Sequence, residues 1–313
     1  MSLVLAGWLA CGGPAEPRSS ETLEPERVLD DTLTIDQLQA VGTHNSYHVD
    51  TSGFGPWNYT HRPLDEQLDL AVRQFELDLY DVDGEIEVLH LPGLDAGTTC
   101  PTLRECVQVQ ADWSAAHPWH VPFVTLIEPK SPDLDAAFYD TLDGILRDAW
   151  GDRLFAPAEL LADHPDLPTA LATDGWPTLA TMRGTGIYVL HAGGVDREVY
   201  LEAGLATRAM FPDGYGDLTA PWAAIHSLNG PTDPRIADVV AAGHLVRTRA
   251  DGDVQEPAAG DTTRRDAAIA SGAHFVSTDF PEPHPETGYV VDLGGVACNP
   301  VTASDTCDPA TIE

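Results

Sequence analysis

Gln74-Phe-Glu-Leu-Asp-Leu-Tyr-Asp-Val-Asp-Gly-Glu-Ile-Glu-Val-Leu-His90 holds two strand-like runs, 74–80 and 86–90, divided by a short polar junction. A parallel crossover needs roughly a dozen residues or more, so these runs cannot be parallel neighbours. Asp83-Gly84 between alternating residues is instead the mark of a hairpin turn. Within the first run Glu76 and Asp78 stand at i and i+2 and share one face, with Phe75, Leu77 and Leu79 on the other. Taken alone, such a carboxylate pair more often marks a solvated strand face than a site. His90 ends the second run.

Outward from this hairpin, apolar runs alternate with amphipathic stretches. Further strand candidates lie at 40–47, 122–128, 186–191, 223–228, 245–248 and 274–278, and helical patterns at 64–72, 102–117, 133–150, 235–242 and 262–271. Strands alternating with helices predict parallel pairing and an α/β fold. Eight strand candidates without a Gly-rich dinucleotide turn favour a barrel over a doubly wound sheet, made irregular by the hairpin at its second strand. Barrels of about 250 residues form single domains, so 33–313 reads as one barrel domain. Its tail beyond Pro281 is rich in Pro, Gly and Asp and is expected to wrap the surface, pinned by a cysteine pair.

The chain carries 50 acidic against 16 basic residues, a formal net charge of -34, and Lys130 is its only lysine. Nucleic acid is excluded as a partner, because phosphate binding needs basic side chains to displace counterions. A compositional habit or a salty habitat explains the acidity most simply. At the N-terminus, a short apolar stretch precedes Cys11-Gly12-Gly13 and a polar linker, 12–32. Residues 1–11 resemble a bacterial lipoprotein signal with Cys11 as lipid acceptor, although no Lys or Arg precedes the apolar stretch; a plain N-terminal stub is the other reading. The remaining cysteines form two local pairs, Cys100 with Cys106 and Cys298 with Cys307, among three possible connectivities. Local bridges fit an oxidising compartment, and hence export as a lipoprotein or secreted protein.

Strand ends converging on one face of a barrel are where active sites form. Asn45, Glu76, Asp78 and Glu128 lie on or at the ends of strand candidates and supply only oxygen ligands. That is a hard-cation set, suited to calcium, with magnesium second, rather than zinc. His44 and His90 sit at strand ends and supply the acid and base that phosphodiester cleavage needs, since imidazole titrates near neutrality. His48, His61, His117, His120 and His191 carry lower weight. Lys130 follows Glu128 by two residues and can neutralise charge developing on phosphoryl oxygens. Arg247, Arg249 and Asp279 are candidate contacts to phosphate or sugar hydroxyls, with one of the arginines expected to face the helix layer. A nucleophilic serine is disfavoured, because no Gly-x-Ser-x-Gly is present.

Thr43-His-Asn-Ser-Tyr47, Phe75-Glu-Leu-Asp78, Leu89-His90 and Leu126-Ile-Glu-Pro-Lys130 together resemble the catalytic barrel of phosphoinositide-specific phospholipase C, and most the secreted calcium-dependent bacterial branch. Asp174-Gly-Trp-Pro-Thr-Leu179, Val246-Arg-Thr-Arg-Ala-Asp251, Arg264-Arg-Asp-Ala-Ala268, Val276-Ser-Thr-Asp-Phe-Pro281 and Cys298-Asn-Pro-Val301 extend the resemblance. It implies an irregular (β/α)8 TIM-type barrel, with calcium held by Asn45, Glu76, Asp78 and Glu128 and with His44 and His90 as the catalytic histidines. The implied reaction is attack of the inositol 2-hydroxyl on the adjacent phosphate, releasing diacylglycerol and a cyclic inositol phosphate. His44 is placed on the attacking side and His90 on the leaving group, while Glu76 or Glu128 remains open as the base. The implied partner is a phospholipid or inositol phosphodiester, met by a monomer in peripheral or lipid-anchored contact with a membrane. Salt and calcium would have to screen the repulsion between so acidic a chain and an anionic bilayer. Two other readings stay open: a glycerophosphodiesterase or sphingomyelinase D-like enzyme, and a non-catalytic surface lipoprotein that binds calcium or sugar.

Overall fold

In chain order the strands are β1 (Leu38–Thr43), β2 (Val72–Val82), β3 (Glu85–Val88), β4 (Phe123–Pro129), β5 (Gly186–Leu190), β6 (Phe211–Pro212), β7 (Ile225–Ser227), β8 (Leu245–Arg249), β9 (Phe275–Thr278) and β10 (Ala297–Cys298). They are seen in a computed structural model that describes residues 30–51, 53, 55–252 and 254–313. The signal segment, Cys11 and nearly all of the linker lie outside the described residues. Eight strands pair in the order β6-β5-β4-β2-β1-β9-β8-β7, all in parallel. The ends of this sheet meet where the Gly214 amide donates to the Ile225 carbonyl at 2.9 Å, so the barrel nearly closes between β6 and β7.

Local sequence explains the elements. Asp83 and Gly84 have φ of 52° and 88°, the left-handed pair that a two-residue hairpin turn requires, and β3 pairs antiparallel with β2 from Leu79↔Val88 to Val82↔Glu85. Gly42 permits a close approach: a Cβ there would lie 2.1 Å from Gln74 Oε1, beside the register shift between β1 and β2. β1 ends at Thr43, ahead of Asn45 with its φ of 45°. The first three helices are α1 (Leu64–Asp69), α2 (Leu103–Ala116) and α3 (Ala136–Trp150). Thr102 and Glu105 form a capping box at the start of α2, and Asp135 caps the Phe138 amide of α3. Seven more α-helices among the described residues cover the second half, with α8 (Arg235–Ala241) and α10 (Thr263–Ala270) matching the sequence patterns; α4 (Pro157–Leu161), α5 (Leu167–Thr173), α6 (Leu179–Met182), α7 (Gly194–Leu201) and α9 (Gln255–Ala259) complete the set.

Alternation divides the strands between two apolar layers. Phe75, Leu77 and Leu79 join Phe123, Ile127 and the apolar faces of α2 and α3, while Val124, Leu126, Ile187, Val189 and Phe275 belong to a separate inner cluster. Gln74, Glu76 and Asp78 therefore point away from the helix layer. Both local disulfides form, Cys100–Cys106 and Cys298–Cys307. The second sits at β10, which pairs antiparallel with β1 and ties the tail to the barrel.

Two expectations need correction. The hairpin arm 86–90 is not a barrel stave, since β3 pairs with β2 alone and lies off the main strand path. The eighth stave is β6, Phe211–Pro212, too short to carry a periodic signal. The expectation that Arg247 or Arg249 faces the helices also fails. They stand at i and i+2 of β8, hence on one face, and both turn toward Glu76 and Asp279 rather than outward.

The interior holds several neutral histidines. Burial pulls the rings of His61, His120, His226, His244 and His274 down from 6.5 to about 4. A group whose folded value is depressed stabilises the fold above its unfolded value and loses that contribution as pH falls toward the folded one. Asp251, pushed up by burial to about 7, acts in the opposite sense, as does His191, raised despite burial by Asp213. Asp36, Asp78 and Asp143, also raised by burial, act likewise, while His44 is depressed with the five histidines. Six depressed rings against five raised groups leave a small net loss, and calorimetry should show the melting temperature falling by about 2–4 °C between about pH 7.5 and about pH 4.5. A melting temperature constant over that window would contradict the assignment of these rings as buried and neutral.

Candidate active site at the carboxyl ends of the barrel strands

Parallel strands all end on one rim, and the rim collects polar side chains from most of the barrel. His44 and Asn45 follow β1, Glu76 and Asp78 lie in β2, Glu128 and Lys130 end β4, and His191 follows β5. Asp213 follows β6, Arg247 and Arg249 lie in β8, and Asp279 follows β9. The β2–β4 register sets Asp78 directly beside Glu128. The His191 amide donates to the Ile127 carbonyl at 2.8 Å, which brings the next pair along, Glu128 and His191, side by side. One oxygen each of Glu76 and Glu128 and one ring nitrogen of His191 lie within 4.8 Å of one another.

The carboxylates are buried unequally. Glu76 is 3% exposed and accepts a bond from the Arg247 guanidinium. Burial works to raise its carboxyl, but the charge of Arg247, the first of its cationic neighbours, holds it at about 2. Arg247 is itself anchored by Asn229 and by Ser277 Oγ at 3.1 Å. Asp78 is 1% exposed and has weaker compensation: Lys130 Nζ lies 3.5 Å from its Oδ2, and Oδ1 makes no well-aligned hydrogen bond among the described residues, with only the buried Tyr47 hydroxyl close by to interact with this carboxylate. Burial, reinforced by Glu128 and Glu76, pushes its carboxyl well above the ordinary range against the pull of Lys130. Lys130 sits closer to Glu128, 2.6 Å from Oε1, and these carboxylates raise its ammonium despite burial. A buried carboxylate with so little charge compensation, among further carboxylates, is the environment a divalent cation relieves. Asn45, Glu76, Asp78 and Glu128 thus fit a calcium site in donor chemistry.

Each expected histidine is held by a carboxylate. His44 Nδ1 donates to Asp279 Oδ1 at 2.8 Å, and Arg249 Nη1 donates to its Nε2 at 3.3 Å. Guanidinium can only donate, so Nε2 carries the lone pair. Burial, then Arg249, holds this ring well below its ordinary 6.5. His90 lies two residues beyond β3, with Nδ1 2.8 Å from Asp95 Oδ2. The same oxygen receives His48 Nε2 at 2.8 Å, and His48 Nδ1 faces the Tyr59 carbonyl at 2.9 Å. Tyr59 in turn accepts a bond from Asn45 Nδ2 at 3.2 Å, linking the His90 arm to the β1 arm.

The expected residues therefore gather, with some changes of partner. Lys130 contacts carboxylates, and Arg247 is tied into the barrel wall, whereas Arg249 joins His44 and Asp279. His48 belongs to the site's periphery through Asp95, while His117 and His120 stack against Trp113 and its neighbours, elsewhere in the fold. Sequence reading missed Asp95, whose partners His90 and His48 lie 5 and 47 residues away, and Asp213, which lies 22 residues from its partner, and undervalued His191. Only His191 carried a signal: it ends a strand candidate, as Glu128 does.

A family model for Ca2+-dependent phosphoinositide phospholipase C matches residues 33–85 and 81–300. Among curated proteins no match is found. The fold is similar to a calcium-dependent phosphoinositol-specific phospholipase C from Pseudomonas sp. in its myo-inositol complex, with TM-score 0.65 and 19% identity over 80% of this chain and 92% of that one. It is also similar to a Ca2+-dependent phosphatidylinositol-specific phospholipase C from Streptomyces antibioticus, with TM-score 0.61 and 20% identity over 79% of this chain and 95% of that one. At these identities the structures establish a shared fold, and the sequence model establishes kinship. With the model spanning most of the chain, this protein belongs to the Ca2+-dependent phosphoinositide phospholipase C family.

Proposed function

We propose that the protein is a calcium-dependent phosphodiesterase that cleaves phosphatidylinositol, or a related inositol phosphodiester, to diacylglycerol and a cyclic inositol phosphate. One observation carries this reading: the buried, under-compensated Asp78 carboxylate lies in a cluster of carboxylates, accompanied by two histidines whose Nδ1 atoms are fixed by Asp279 and Asp95. Asn45, Glu76, Asp78 and Glu128 would hold calcium, which would supply positive charge to a phosphoryl oxygen and acidify a neighbouring hydroxyl. His44 enters neutral with its Nε2 lone pair available, and takes the proton of the attacking 2-hydroxyl. Arg249, released from that lone pair, turns to the phosphate charge. His90 has Nδ1 occupied by Asp95, which leaves Nε2 to hand a proton to the departing glycerol oxygen. Lys130 holds positive charge beside Glu128, and Arg247 keeps Glu76 ionised. The two disulfides fit export, and no helix among the described residues is long and apolar enough to cross a membrane. Contact with the substrate bilayer is peripheral in this reading, or through a lipid on Cys11.

Chelation should abolish release of a cyclic phosphodiester from phosphatidylinositol vesicles, followed by phosphorus NMR, and added calcium should restore it. Activity unaffected by chelator removes calcium from the account, and free choline or glycerol phosphate as product from a phosphodiester panel points instead to a glycerophosphodiesterase or sphingomyelinase D-like activity.

His44→Ala and His90→Ala should each lower kcat by about 100- to 10,000-fold with circular dichroism unchanged. A folded double variant that retains full turnover would remove both histidines from the mechanism.

A further inference from the structure

His191 has a setting that none of the roles above uses. Its Nδ1 donates to Asp213 Oδ2 at 2.7 Å. Asp213 is fully buried, and its Oδ1 accepts the Tyr215 amide at 2.8 Å and the Ser227 amide at 3.0 Å. Tyr215 reaches that bond with a φ of 46°, a left-handed conformation disfavoured for a bulky aromatic residue. The carboxylate is thereby fixed, and it fixes which ring nitrogen carries the proton. The remaining nitrogen, Nε2, is the one free to join Glu76 and Glu128 in the 4.8 Å cluster. Arg247 bonds Oε2 of Glu76 and Lys130 bonds Oε1 of Glu128, so each carboxylate has its second oxygen to offer. A buried carboxylate that orients an imidazole toward a cation is a common outer-shell arrangement in metal sites.

We infer that His191 Nε2 is a direct ligand of the divalent cation, so that the site is a mixed nitrogen–oxygen one that accepts first-row transition metals, from hard manganese to borderline zinc, alongside calcium. This rests on the cation site proposed above and corrects its oxygen-only composition. Imidazole adds little for calcium, which prefers oxygen, and much for later first-row ions, whose affinity for nitrogen rises along the series. Asp213 is a positioning residue in this arrangement, acting through the ring.

The probe is Mn2+ alone, added to the full chain. Calorimetry should show one bound ion, displaced by Ca2+, and pulsed electron paramagnetic resonance should show directly coordinated imidazole nitrogen in the wild type. His191→Gln, which offers an amide oxygen in its place, should lose the nitrogen coupling and weaken Mn2+ binding by about 10- to 100-fold, with Ca2+ affinity changed by less than about threefold. Bound Mn2+ without nitrogen coupling in the wild type overturns the inference whatever the variant does. Coupling that persists in His191→Gln overturns it equally. A wild type that binds neither Mn2+ nor Ca2+ overturns the cation site itself.

Discussion

The Glu76–Arg247 pair is the interaction around which the rim is organised. It joins β2 to β8 across 171 residues of sequence, with both side chains almost wholly buried. Two charges removed from water are tolerated only when each satisfies the other, and removing one partner of such a pair costs about 3–5 kcal/mol. Arg247 also reaches Asn229 and Ser277, so one guanidinium draws together the strand end of β2, the loop after β7 and β9. The pairing leaves Asp78 as the least compensated charge of the cluster. Lys130 is shared between Asp78 and the nearer Glu128, and one Asp78 oxygen makes no well-aligned hydrogen bond among the described residues, with only the neutral Tyr47 hydroxyl beside the carboxylate. The barrel thus completes one ion pair and leaves the neighbouring carboxylate for a cation.

The histidines follow the same logic with opposite protonation needs. Asp279 and Arg249 clamp His44 from its two ring edges, while burial and the Arg249 charge favour its neutral form, the form the proposed proton acceptor needs. Asp95 collects two imidazoles on one oxygen and so orients His90 directly, with His48 on the same oxygen. Asp213 orients His191 in the same manner. Three carboxylates therefore position three rings around one anionic pocket. A formal net charge of -34 makes approach to an anionic lipid surface salt-dependent, and divalent cation at the rim works in the same direction as screening.

Much of this was legible in the sequence, for identifiable reasons. Period-two alternation at 74–80 placed Glu76 and Asp78 together, and Asp83-Gly84 marked the hairpin, because both signals are local. The disulfide pairs were legible from short spacing. β6 was not, because two residues carry no period and one of them is proline, which donates no ladder bond. Asp95 and Asp213 escaped because a carboxylate becomes an orienting group only through a partner that folding delivers. Arg247 and Arg249 were legible but misread: their spacing alone puts both on one face. Lys130 shows the limit of reading charge by position, since its carboxylate contacts depend on the parallel register of β2 and β4.

The central claim is that the fold carries an incompletely paired buried carboxylate that a cation satisfies. Melting of the wild type and of Asp78→Asn, with and without calcium, tests it most directly. A ligand that binds only the native state raises the melting temperature. The account predicts a calcium-dependent rise of several degrees in the wild type, roughly 2–4 °C for each kcal/mol of binding. It also predicts an apo Asp78→Asn protein at least as stable as the apo wild type, with the calcium response gone. A wild type indifferent to calcium, together with a destabilised apo Asp78→Asn, would contradict it.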